Sequence, residues 1–277
     1  MFSEFTKQLL NQSNGFDFVA AHFACEKDKF SESNPNGFVN LGSAQNFLGK
    51  TAIQSRLKAL DWNPEDTPYR DFAGTESSRT AVANYLQGIS GQSVDPDHVV
   101  IGNGLVSVLE AISIAILDAG DYVLVTTPVF PGLVTALTSR TQANFIPLET
   151  TADQQFQLSP AHLQEKLEIE LKQGRTIKAV LLCSPGNPIG QVFTAAEIQQ
   201  FVRIAEDFNV ALIVDEIYAS SCFDGVDFTS ALTANSDNVI TIGGLSKDFG
   251  LAGYTTCLLY TSPSPRDRTR SRMPSSA

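Results

Sequence analysis

Lys247 stands in Gly243-Gly244-Leu245-Ser246-Lys247-Asp248-Phe249-Gly250-Leu251-Ala252-Gly253, a glycine-rich and sparsely charged stretch that directly follows the apolar run Val239 to Ile242. An ammonium shielded from water is penalised, so its pKa falls, and the neutral amine can attack a carbonyl to form a Schiff base. A lone lysine at a strand end would equally snorkel to solvent. Two upstream stretches change the weighing: Ser184-Pro185-Gly186-Asn187-Pro188-Ile189-Gly190 and Val214-Asp215-Glu216-Ile217-Tyr218, each after an apolar run. Pro188 restricts Asn187 to extended backbone and so fixes the direction of its amide. Asp215 ends the run Val210 to Val214, where an unpaired carboxylate would be costly. Tyr218 adds a phenol three residues on.

The elements that must position these groups are short. From Asp97 onward, β-branched runs alternate with amphipathic segments: Val99 to Ile101, Leu105 to Leu117, Tyr122 to Val125, and on to Ala211 to Val214 and Val239 to Ile242. This pattern predicts an α/β fold, a mostly parallel sheet sandwiched by helices. Ser159-Pro160 and Thr194-Ala195-Ala196-Glu197 mark helix starts, and a third helix is expected from Ser77 or Ser78 to Leu86. Ligands of open α/β sheets gather at the carboxyl ends of strands, where each motif falls. Gly102-Asn103-Gly104-Leu105-Val106-Ser107 joins a strand to a helix, and its first amides suit a phosphate as well as they suit a plain turn. Thr127-Pro128-Val129-Phe130-Pro131-Gly132 places an aromatic, Phe130, at another strand end.

Taken together and in this order, the motifs resemble the large domain of the pyridoxal-phosphate-dependent aminotransferases of classes I and II, a fold type I transferase. The wording is nearest to the plant-type aminocyclopropane-carboxylate synthase branch, over roughly residues 40 to 254. The resemblance implies pyridoxal 5'-phosphate as cofactor, held covalently by Lys247, which also serves as the general base. It implies phosphate contacts from the amides of Leu105 and Val106 with Ser107 and Ser246. Phe130 would lie on the pyridine ring, Asp215 would pair with the ring nitrogen, and Asn187 and Tyr218 would share the phenolic oxygen. A homodimer and an amino acid substrate are implied too. The expected reaction is transamination between an amino acid and a 2-oxo acid. The alternatives are a lyase of the synthase type acting on S-adenosylmethionine, and a non-enzymatic binding module. Gln45 stands where the synthase branch has Glu, which favours transamination. Phe72, Gly244 and Thr255 stand where relatives carry phosphate-contacting hydroxyls and an arginine, which favours the binding module. Phe72 is expected instead to pack against a helix start.

The 277 residues are 43% hydrophobic with a net charge of −11, which argues against nucleic acid or anionic membrane as the main partner. No run approaches the roughly 20 apolar residues that span a bilayer. Four scattered cysteines, Cys25, Cys183, Cys222 and Cys257, suggest neither a zinc site nor a disulfide framework, and fit a reducing cytoplasmic setting. The reading divides the chain into an arm (1–39), a segment with helices (40–94), an incomplete cofactor-binding large domain (95–254) and a tail (255–277). Residues 261–277 hold five Ser, three Pro and four Arg with no Val, Ile or Leu, so a disordered or artefactual tail is expected. On this reading the chain is C-terminally truncated, with an incomplete small domain and a sheet lacking its final strands.

Overall fold

Seven apolar runs form one sheet: β1 Val99–Gly102, β2 Tyr122–Thr127, β3 Asn144–Glu149, β4 Ile177–Cys183, β5 Ala211–Asp215, β6 Val239–Gly244 and β7 Cys257–Thr261. The structure is a computed structural model that describes residues 2–4, 6–7, 17–61, 63–254 and 256–261. The strand order is β1-β7-β6-β5-β4-β2-β3. Among the described residues only β7 opposes its neighbours; the pairs β2/β3, β2/β4, β4/β5 and β5/β6 are parallel.

Successive side chains of a strand point to opposite faces, and this alternation divides the core. Val180, Leu182, Leu212 and Val214 face one layer, formed with helices α6 (Pro160–Lys172) and α7 (Ala195–Asp207) through Leu163, Leu167 and Phe201. Ala179, Leu181 and Ile213 face the other, where α4 (Leu105–Ile116) and α5 (Pro131–Thr138) contribute Leu109, Ile112 and Leu137. The central strands are therefore buried on both faces, as a parallel sheet requires. Each fully buried leucine here contributes about 1.5–3 kcal/mol.

The helix starts follow their caps. Ser159 accepts from the His162 amide ahead of Pro160, and Thr194 and Glu197 form both halves of a capping box. Helix α3 (Glu76–Ser90) begins just before the expected serines because Thr75 Oγ1 takes the Ser78 amide, and it stops at Gly91 in the left-handed region. Helix α2 (Lys50–Lys58) precedes it.

Two expectations are corrected. The sheet does not end at β6: Cys257–Thr261 fills the slot between β1 and β6, with Cys257 paired to both Gly102 and Gly244. The physical reason is an apolar run, buried at Cys257 and Leu258, that satisfies the facing edges of two strands. Phe72 does not pack on a helix start; its side chain is 97% exposed. Thr255 and residues 262–277, on which the rest of the tail reading falls, lie outside the described residues.

The chain separates into two compact units, Met1–Phe47 and Leu48–Ala277. In the first, α1 (Asp17–Lys27) carries His22 and Glu26, and the Asn40 amide lies 3.0 Å from both His22 Nδ1 and Glu26 Oε1. Gln45 belongs to this unit. Among the described residues no helix is long and apolar enough to cross a membrane, and no cluster of His, Cys, Asp and Glu could hold a metal.

Candidate functional site

The register of the sheet sets Cys183, Asp215 and Ile242 side by side across β4, β5 and β6. Asp215 is buried at the carboxyl end of β5, and its Oδ1 accepts the Ile217 amide at 3.0 Å. Burial pushes its pKa up to about 7, against the opposing pull of that hydrogen bond, the Lys247 charge and the Cys183 thiol. Lys247 is half-buried, and desolvation holds its ammonium below the ordinary value while the Asp215 charge acts in the other direction. Asn187 Nδ2 donates to the Tyr218 hydroxyl at 3.2 Å. Burial, followed by the Cys183 and Asp215 charges, raises the Tyr218 phenol to about 12, so it remains a donor at any working pH.

Lys247 is presented by a closed loop. Leu245 N donates to Thr256 O at 3.1 Å, Leu251 N to Leu245 O at 3.2 Å, and Gly250 N to Lys247 O at 3.1 Å. Gly250 has φ +62°, a conformation glycine adopts without strain. Gly244, just ahead of the loop, is crowded by β7: a Cβ there would lie 3.0 Å from Thr256 O and 2.8 Å from Ile217 Cδ1. A side chain at this position, where relatives carry a hydroxyl, would require Thr256 and Ile217 to shift.

Gly102 and Gly244 flank Cys257, so the turn before α4 and the Ser246-Lys247 pair leave the sheet at the same end, two strand spacings or about 10 Å apart. Gly104 caps α4 with φ +84° and no side chain, leaving the amides of Leu105, Val106 and Ser107 as the helix's first turn. A Cβ on Gly102 would sit 2.3 Å from Val108 Cγ2, so glycine lets α4 settle against β1. Phe130 stands at the junction of β2 and α5, exposed, with its ring folded over Gly132, where a Cβ would lie 2.4 Å from Phe130 Cε1.

The structure thus brings together Lys247, Asp215, Asn187 and Tyr218. Ser246 adjoins them in the chain, the first turn of α4 lies at the same sheet end, and Phe130 lies two strands from Asp215 in sheet order. Sequence reasoning missed Glu216, which is buried and accepts from Ser230 Oγ at 2.7 Å and Ala231 N at 2.6 Å. Burial raises it to about 8. It also missed Cys183, whose thiol burial pushes well up, next to Asp215. The only local signal for Glu216 was a second acid at the end of an apolar strand.

This donor set suits one kind of guest: a cation opposite a buried acid, an oxyanion before an amide and a phenol, a carbonyl within reach of an amine, and a phosphate at a helix N-terminus. Pyridoxal 5'-phosphate carries all four. The family model for aminotransferase class I and II matches residues 12–274. The chain belongs to the aminotransferase class I and II family. This family, with its aminocyclopropane-carboxylate synthase branch, depends on pyridoxal phosphate.

A human relative in the family, described as a probable inactive 1-aminocyclopropane-1-carboxylate synthase-like protein 2, is 32% identical over 86% of this chain and 45% of its own length. The 1-aminocyclopropane-1-carboxylate synthase 7 of Arabidopsis thaliana is 26% identical over 98% of this chain and 66% of its own. An aspartate aminotransferase from Thermotoga maritima superimposes with a TM-score of 0.71 at 25% identity, covering 94% of this chain and 66% of that one. The chain therefore spans about half to two thirds of the length of these relatives.

Proposed function

We propose that this chain holds pyridoxal 5'-phosphate at Lys247 and transfers an amino group between an amino acid and a 2-oxo acid. The observation that carries the reading is Lys247 and Asp215 meeting beside the Asn187–Tyr218 pair. When bound, the cofactor supplies an electron sink for the bonds at the substrate's α-carbon. Asp215 would hold the protonated ring nitrogen, whose positive charge would favour the carboxylate against the burial that raises its pKa to about 7. Tyr218, oriented by Asn187, would donate its hydroxyl proton toward the phenolic oxygen. The amides of Leu105 and Val106, with the Ser107 and Ser246 hydroxyls, would hold the phosphate. Phe130 offers an aromatic face worth on the order of 1 kcal/mol in offset stacking. With the cofactor bound, Lys247 Nζ would be the base that takes the substrate's α-proton and returns it. Its depressed pKa enlarges the neutral fraction that can do so.

A second reading rests on the synthase names carried by relatives: elimination from S-adenosylmethionine to give a cyclic amino acid. Gln45 supports transamination instead. The test supplies the chain and pyridoxal phosphate with an amino acid panel plus 2-oxoglutarate, and separately with S-adenosylmethionine. A new amino acid formed from the oxo acid supports transfer. A cyclic amino acid from the second mixture replaces transfer with elimination. Cofactor held at Lys247 without either product overturns both and leaves a binding module.

A further inference from the structure

Asp248, directly after Lys247, takes three hydrogen bonds from two other parts of the fold. Its Oδ2 accepts the Ser220 amide at 2.8 Å and the Tyr85 hydroxyl at 3.2 Å, and its Oδ1 accepts Ser221 Oγ at 2.6 Å. Tyr85 reaches in from α3, 163 residues earlier. Its one hydroxyl proton is given to Asp248, so the Ser220 hydroxyl, 3.1 Å away, donates to Tyr85 in turn. The Tyr85 ring also meets the Phe249 ring edge to face, with centroids 5.1 Å apart. One side chain of α3 therefore grips both residues that follow Lys247, and Asp248 ties the same loop to the turn after Asp215.

We infer that Tyr85 and Asp248 form a clamp that positions Lys247 against Asp215. The lysine's main chain is fixed on one side by β6 and on the other by Asp248, whose acceptors face the Ser220-Ser221 turn that leaves β5 through Asp215 and Glu216. The loop cannot move relative to Asp215 without breaking these bonds. The clamp deepens the proposed function and rests on it only for the purpose it serves, because the geometry stands without cofactor. The charged and titratable groups around it are Asp215, Glu216 and Tyr218 from β5 and the turn beyond, Cys222 from the segment after that turn, Cys183 from β4, Tyr85 from α3, and Asp248 itself. Tyr85 lies outside the cofactor motifs, and Asp248, although inside the Gly243–Gly253 stretch, spends its carboxylate on Ser220, Ser221 and Tyr85, so their role is to hold Lys247, not to touch substrate.

The test titrates the reactivity of Lys247 itself. The whole chain is reductively methylated with formaldehyde and borohydride across a pH series, and the modification of Lys247 is read by peptide mapping, with exposed Lys172 as internal reference. Tyr85→Phe keeps the ring against Phe249 and removes only the hydroxyl; Asp248→Asn weakens the acceptor while keeping the shape. Loosening the loop lets Nζ reach water, so both variants are expected to move the Lys247 midpoint up by about one pH unit, with Lys172 unmoved. Unshifted Lys247 midpoints in Tyr85→Phe and Asp248→Asn, with or without a lower melting temperature, would reduce the contacts to ordinary tertiary packing. A parallel arm with pyridoxal phosphate and borohydride reports separately on the cofactor: no adduct at Lys247 in the unmutated chain sinks the proposed function and leaves the clamp to be decided by the methylation titration.

Discussion

Asn187 and Tyr218, 31 residues apart, meet through a 3.2 Å hydrogen bond from the amide to the phenol at the carboxyl ends of neighbouring strands β4 and β5. The bond commits the Tyr218 oxygen as acceptor toward Asn187 and leaves its proton for a guest. Asn187→Ala and Tyr218→Phe are each expected to weaken pyridoxal phosphate binding roughly tenfold, about 1.4 kcal/mol. The double variant is expected to lose little more than the worse single one, because the two act as a unit. Fully additive losses, measured by titration calorimetry, would show two independent contacts.

Stability should depend on pH through Glu216 and Asp215. Burial takes them from ordinary values of 4.5 and 3.8 to about 8 and about 7. The folded chain then holds protons that the unfolded chain has released, so stability falls as pH rises from about 4 to about 8 and levels off above. The melting temperature is expected to drop on the order of 10 °C between pH 5 and pH 8.5. Lys247, held low, contributes the opposite slope, so one carboxyl is isolated by substitution. Glu216→Gln, which can donate to Ser230 and accept from Ala231, should flatten the profile and melt higher than the unmutated chain at pH 8.5. An unchanged slope would remove Glu216 from the account.

Gly244 is fixed by its neighbours. Gly244→Ser would press Cβ onto Thr256 O at 3.0 Å, a backbone atom of the segment leading into β7. An overpacked site of this kind costs about 1–3 kcal/mol. Chemical denaturation should show that loss, and a neutral or stabilising result would mean that β7 yields more readily than its pairing implies.

Thr241, on β6, has a buried hydroxyl with no hydrogen-bond partner among the described residues. Tyr85, Glu216 and Tyr260 line the same small cavity. Thr241→Val removes an unsatisfied polar atom and is expected to stabilise the chain by about 1 kcal/mol. A loss of similar size would show that the hydroxyl is solvated in solution.

Much of this architecture could be read from local pattern. The strands ending at Gly102, Cys183, Asp215 and Gly244, and the Thr194–Glu197 cap, each depend on a few adjacent residues, and periodicity reports such features well. The burial of Asp215 was legible from the apolar run it ends, while its candidacy for the site came only from standing in order with the Asn187 and Lys247 stretches. β7 was not: Cys257–Thr261 adjoins a Ser, Pro and Arg-rich stretch, and its partners β1 and β6 lie far apart in sequence. The Tyr85–Asp248 contact was invisible for the same reason, since a tyrosine within an amphipathic helix reads as one more apolar position. Phe72 failed in the other direction, because an aromatic next to a helix start carries no mark that it will remain exposed.

The central claim is that Lys247 is the amine that takes the cofactor. The direct measurement is borohydride reduction of the chain with pyridoxal phosphate, followed by peptide mapping, alongside Lys247→Ala. The account predicts one dominant adduct at Lys247, near one per chain, which disappears in Lys247→Ala without transfer to another lysine. Label spread over exposed lysines, equal in the two proteins, would contradict it.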